Sequence, residues 1–98
     1  MREENKWKSF TSMETPRKWF GATALGEKIY VAGGCTGSIS SAEVYDIKTK
    51  KWSPLPDMKE TREGCAVTSL PGKVYVIGGD DGRWRLSSGE MFDPVINK

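Results

Sequence analysis

The stretch KIYVAGGCTG, residues 28–37, returns as KVYVIGGDDG at residues 73–82. In both copies a short run of β-branched and aromatic residues stops at a pair of glycines, the pattern of a strand that ends abruptly. Working outward from it, the same offset of 45 residues aligns Lys6 and Trp7 with Lys51 and Trp52, Met13 with Met58, Arg17 with Arg62, Thr23 with Thr68 and Leu25 with Leu70. There are 12 identities over the 32 positions 6–37, where unrelated sequences of ordinary composition would give roughly two. Beyond Gly82 the second copy is two residues longer, so Ser41, Glu43, Tyr45 and Asp46 match Ser88, Glu90, Phe92 and Asp93 at an offset of 47. The chain is a tandem repeat, and its one insertion marks a loop.

Each copy reads as β throughout, because short apolar runs are cut by Gly, Pro, Asp and Ser at spacings of roughly 8–12 residues and no helical period survives. In the second copy the pattern predicts strands over residues 64–70, 73–77 and 88–92, with a turn at Pro71-Gly72. In the first, a third strand over residues 42–47 turns through Lys48-Thr49-Lys50 into a fourth over residues 51–55, which the breakers Pro54, Pro56 and Asp57 end. A period of 40–50 residues with four antiparallel strands per unit is that of a β-propeller blade. The expected fold is therefore all-β, two four-stranded antiparallel blades forming a partial propeller. Residues 1–98 form one repeat region: residues 6–10 are an outer strand completing a blade, 17–56 the first repeat, and 57–98 a second repeat lacking its outer strand. Two blades cannot close a ring, since propellers use about four to eight. The expectation is that identical chains join head to tail, three copies giving six blades, or that the chain is part of a longer one.

Composition narrows the function classes. Of 98 residues, 15 are Lys or Arg and 13 are Asp or Glu, with both signs mixed along the chain, which argues against a basic field for nucleic acid or an anionic membrane. The apolar runs fall far short of the roughly 20 residues that span a bilayer. The charged first eight residues lack the apolar core of a signal peptide, and a cytoplasmic location is the expectation. Cys35 and Cys65 lie in no CxxC pair and there is no histidine, so no metal or other cofactor is expected and the thiols are read as reduced and structural. Without histidine, Ser-His-Asp and Cys-His pairs are ruled out, and the carboxylates form no cluster suited to acid and base roles. The chain is read as a binding module and not as an enzyme.

The repeat elements resemble those of the kelch family. They are an apolar strand ending in a double glycine (Gly33-Gly34, Gly78-Gly79), a Glu-x-Tyr-Asp strand (Glu43 to Asp46, with Phe92 in place of Tyr45 in the second copy), a spaced tryptophan (Trp7, Trp52) and a Met-to-Arg segment (Arg17, Arg62). Physically, the glycines suit a strand end where blades crowd toward the propeller axis, which favours residues without a Cβ and with free φ. Trp7, Trp52, Tyr30, Tyr75, Tyr45 and Phe92 are expected to fill the layers between blades. Arg17 and Arg62 are expected to bind turn carbonyls or a Glu such as Glu43 or Glu90 of a neighbouring blade.

The resemblance implies a protein-binding propeller, with substrate recognition by a ubiquitin-ligase adaptor of the BTB-kelch or F-box-kelch type first and a cytoskeletal or other scaffold binder second. By family position, Cys35, Thr36, Asp80 and Asp81 after the double glycines, and Lys18, Trp19 and Glu63 after the repeat arginines, would line the partner-binding face. The residues add one candidate of their own. The longer loop carries Asp80, Asp81, Arg83, Trp84 and Arg85 where the first copy is shorter and uncharged, and a tryptophan between two arginines has the composition of an interface anchor. The same tryptophan could instead cover a blade edge, with the arginines solvated. Two arginines do not favour a strongly acidic partner segment.

Overall fold

The computed structural model describes residues 7–35 and 39–98. Seven strands follow in chain order: β1 Gly21–Leu25, β2 Lys28–Ala32, β3 Ala42–Asp46, β4 Lys51–Leu55, β5 Ala66–Leu70, β6 Lys73–Ile77 and β7 Gly89–Phe92. They form two antiparallel sheets with purely sequential order, β1-β2-β3-β4 and β5-β6-β7, and there is no helix among the described residues. Two-residue turns join the first pairs, with Gly26 and Gly72 in left-handed conformation at φ 63° and 82°. Each sheet is one blade, the first with four strands and the second with three.

Strand ends depart from the sequence reading by one or two residues for local reasons. Asp46 ends β3 because its carboxylate accepts hydrogen bonds from the Lys48 and Thr49 N–H groups, starting the turn that Lys50 completes at φ 60°. Residue 64, expected inside β5, is a glycine at φ 67° and lies outside it. The strand expected over residues 6–10 is not formed within the chain: residues 7–10 pair with no strand, and Lys6 lies outside the described residues.

Alternation assigns two faces to each blade. Register puts Tyr30, Ala32, Ala42 and Leu55 on one face of the first blade, and Val67, Val74, Val76 and Phe92 on the facing side of the second. These meet as the core, with Ala32, Ala42, Cys65 and Val76 at its centre and Leu55, Met58 and Val67 packed round it. Gly21 is needed here because a side chain would overlap Val67 Cγ2. Polar contacts cross the same interface, with Ser69 Oγ donating to Ala24 O at 2.8 Å and Cys65 Sγ to Ala32 O at 3.7 Å. Cys35 and Cys65 form no disulfide, and burial pushes the Cys65 thiol pKa up, as expected of an inert packing residue.

The aromatic residues divide. Tyr30 meets Phe92 across the blades at 6.3 Å between ring centroids, and Tyr45 meets Trp52 at 5.1 Å. Trp7, expected in the same layers, is 100% exposed. Its counterpart Trp52 is partly covered, its ring against Tyr45 of β3 and its Nε1 donating to Thr11 O at 2.8 Å.

Candidate protein-binding surface

Residues 13–20 and 58–65 lead into the innermost strands β1 and β5, and each carries an arginine in a socket. Arg17 donates through Nη1 to Gly33 O and Ser41 O at 2.8 and 3.0 Å, through Nη2 to Ser41 Oγ and Glu43 Oε2 at 3.0 Å each, and through Nε to Glu43 at 3.3 Å. Arg62 repeats the set with Gly78 O, Ser88 O, Ser88 Oγ and Glu90. The carboxylates have further donors, the Glu14 and Thr15 N–H groups on Glu43 and the Lys59 and Glu60 N–H groups on Glu90. Both arginine side chains are fully buried, a condition met only when every donor finds an acceptor. The arginines are structural. Their carboxylates, expected in a neighbouring blade, belong instead to the blade that each arginine leads into, because the connecting segment lies against that blade's own second and third strands.

The double glycines let this segment approach. Gly33 sits at φ 70° where a Cβ would overlap the Arg62 carbonyl oxygen, and Gly34 N–H donates to that same oxygen at 2.7 Å. A Cβ on Gly79 would lie 2.9 Å from Glu63 O. The crowding that selects glycine thus comes from the arginine-bearing connection of the following or same blade, backbone against backbone.

One run of backbone hydrogen bonds then gathers the candidate residues on a single end of the two blades. Cys35 N–H donates to Lys18 O at 2.7 Å, Gly64 N–H to Trp19 O at 2.7 Å, and Glu63 and Asp80 exchange two bonds of 2.9 Å. Asp80 also bridges Arg85 across the loop. Lys18, Trp19, Cys35, Glu63, Asp80, Asp81, Arg83, Trp84 and Arg85 therefore share one surface; Thr36 lies outside the described residues.

Two features make that surface distinctive. Trp19 and Trp84 are 66% and 67% exposed. Trp19 holds φ 58°, a left-handed conformation rare for a bulky residue, at the position where the second copy has Gly64. Lys18 Nζ lies 5.7 Å from the Trp19 ring centroid. In the loop, the Asp81 carboxylate accepts the Trp84 and Arg83 N–H groups at 2.8 and 2.9 Å, and the Asp80 carboxylate accepts Gly82 N–H at 2.8 Å. Those bonds, the Trp84 one first, hold the Asp81 carboxyl below the usual carboxylate range. Both aspartates are turned to their own loop, and Lys18, Arg83 and Arg85 are exposed on the same surface beside Glu63. Thr61 Oγ1, donating to Asp81 O at 3.2 Å, anchors the loop to the connection; no motif marked this residue in the sequence. Among the described residues, no group of three His, Cys, Asp or Glu side chains is placed to hold a metal ion.

The family model described as the Kelch motif matches residues 16–59 and 61–98. Kelch-like protein 41a of Danio rerio is 45% identical over 49 residues, 48% of this chain and 8% of that protein. An F-box/kelch-repeat protein of Arabidopsis thaliana is 47% identical over 47 residues, 44% of this chain and 12% of that protein. Kelch-like protein 40 of Xenopus laevis is 46% identical over 46 residues, 45% of this chain and 8% of that protein. The matched part of this chain spans about a tenth of the length of these relatives.

Proposed function

Because the chain belongs to the kelch-repeat family, we propose that it is a protein-interaction module that recognises substrates for a ubiquitin-ligase adaptor of the BTB-kelch or F-box-kelch type, in the cytoplasm. The observation that carries this reading is the pair of exposed tryptophans, Trp19 and Trp84, held on one surface by backbone hydrogen bonds and flanked by Lys18, Arg83 and Arg85. Exposed aromatic and arginine side chains on a rigid scaffold are the residues that dominate protein interfaces. Such a surface suits a protein loop or peptide that inserts an apolar side chain and carries one or two carboxylates. It offers too little positive charge for a strongly acidic segment. The relatives named for kelch and F-box regions support the adaptor assignment.

The remaining blades of the ring come from further copies of the chain joined head to tail, or from further kelch repeats of a longer protein. The adaptor reading is tested by affinity purification with the wild type and with the Arg83→Ala, Trp84→Ala, Arg85→Ala triple variant, matched for fold by circular dichroism. Proteins retained by the wild type, lost by the variant and accumulating when cullin ligases are inhibited are the expected result. An identical set bound by both would rule out this surface. Loss of actin filaments alone from the variant would replace the adaptor reading by a cytoskeletal one.

A further inference from the structure

The connection into the first blade carries a run that the arginine socket and the candidate surface do not account for, Thr15-Pro16-Arg17-Lys18. A hydroxyl followed by proline, with a basic residue two places further on, is the pattern read by proline-directed protein kinases. The proline presents no N–H to an apolar pocket, and the basic side chain meets an anionic patch. The structure offers these groups together. Thr15 is partly exposed and Pro16 and Lys18 are exposed, while Arg17, the position such a kinase does not read, is the one whose side chain is buried. The chain's other hydroxyl-proline pair, Ser53-Pro54, lies inside β4 with Val44 as the ladder partner of Ser53, and has Pro56 where the basic residue would stand.

The second copy shows what an anion does at this position. Thr15 aligns with Glu60, and the backbone is held alike at both: Thr15 N–H donates to Glu43 Oε2 and Glu60 N–H to Glu90 Oε2, each at 3.2 Å. From there the Glu60 carboxylate turns back on the arginine socket. Its Oε2 accepts Ser88 Oγ at 3.2 Å and stands 3.9 Å from Arg62 Nη2. In the first copy Ser41 Oγ accepts Arg17 Nη2 at 3.0 Å, as Ser88 Oγ accepts Arg62 Nη2, and a threonine hydroxyl stands where the second copy has the carboxylate.

A phosphothreonine supplies that anion. Its terminal oxygens lie as many bonds from Cβ as those of glutamate, and it carries about −1.5 to −2 charge at pH 7. Glu43 does not exclude it, because in the second copy Arg62 Nη2 already faces two carboxylates, Glu60 and Glu90.

We propose that Thr15 is a phosphorylation site, and that its phosphate docks on Arg17 and Ser41 as Glu60 docks on Arg62 and Ser88. In the transfer, Thr15 Oγ1 bonds to the γ-phosphorus of ATP as the bond to the β-phosphate oxygen breaks; ADP leaves, and the hydroxyl proton passes to the kinase's catalytic base. The phosphate then fastens the connection bearing Lys18 and Trp19 to its own blade. A contact that is permanent in the second blade becomes switchable in the first. The inference does not depend on which partner the candidate surface captures.

The test treats the folded chain with ATP and a cyclin-dependent kinase. Mass spectrometry is expected to find one phosphate, on Thr15, absent from Thr15→Val and entering Lys18→Ala at least about fivefold more slowly. Phosphorus NMR then titrates the phosphorylated chain beside a phosphopeptide of residues 11–20. Docking on Arg17 favours the dianion, so the second ionisation, ordinarily near about pH 6, is expected in the folded chain at a pH lower by at least about 0.5. No phosphate on Thr15 of the folded chain, whether or not the peptide is labelled, overturns the site; equal ionisation in chain and peptide overturns the docking. Should a variant misfold, fragmentation of the wild-type product still locates the phosphate, and finding it on another residue overturns the site as well.

Discussion

Replacing Arg17 or Arg62 by alanine removes five hydrogen bonds at once. The loss exceeds the sum of surface contacts because a carboxylate stays behind without its cation. Breaking a buried pair in this way costs about 3–5 kcal/mol, a large share of the roughly 5–15 kcal/mol that holds a domain of this size. The two sites are not equivalent. Glu43 is 3% exposed and its side chain cannot rehydrate where it stands, while the Glu90 side chain is 20% exposed and water can reach it. Arg17→Ala is therefore expected at the upper end of the range and Arg62→Ala nearer about 3 kcal/mol. Lysine at either position keeps the charge but lacks the planar fork, and is expected to cost about half as much as alanine. Urea unfolding followed by tryptophan fluorescence, at one fixed protein concentration, measures all four variants. A loss below about 1 kcal/mol for both alanine variants, the figure for an ordinary exposed ion pair, would refute the assignment of these arginines as the pins of each blade.

Gly33→Ala forces a Cβ onto the Arg62 carbonyl oxygen, whereas Gly26→Ala meets open space at a similar φ; the first is expected to cost at least about 2 kcal/mol more than the second in the same unfolding assay, since only the second is limited to backbone strain of about 1–2 kcal/mol. Trp19→Gly relieves a left-handed tryptophan and is expected to raise stability by up to about 1 kcal/mol while weakening partner capture, so a variant that loses stability would show that Trp19 packs and does not bind. The lowered pKa of Asp81 means that its loop bonds persist at neutral pH and are lost only as pH falls through that depressed value, below the ordinary carboxylate pKa of about 3.9. Amide exchange at Arg83 and Trp84 checks this: both should be slowed at pH 6 in the wild type and accelerated by Asp81→Ala.

The strands and their order were legible in the sequence because the signals are local: alternation in residues 73–77, the Pro71-Gly72 turn, and a repeat that carries each assignment from one copy to the other. The double glycines could be recognised as close-approach positions, but what approaches them, the Arg62 carbonyl at Gly33 and the Glu63 carbonyl at Gly79, lies on a connection distant in the chain that leads into the next blade or into the same one. The same limit applied to Arg17 and Arg62, whose carboxylates were named correctly and assigned to the wrong blade, since spacing along a chain does not say which sheet a connection lies against. Trp7 and Trp52 occupy matching positions, yet one is solvated and the other half-buried; burial depends on what stands opposite, and only the assembled blades decide that. The candidate surface shows the division most clearly. Its residues could be named one by one from the family resemblance and the unmatched loop, but that Trp19 and Trp84 are exposed, share one end of the blades and are fixed there by backbone hydrogen bonds is a property of the tertiary fold, because exposure and proximity are relations between distant parts of the chain.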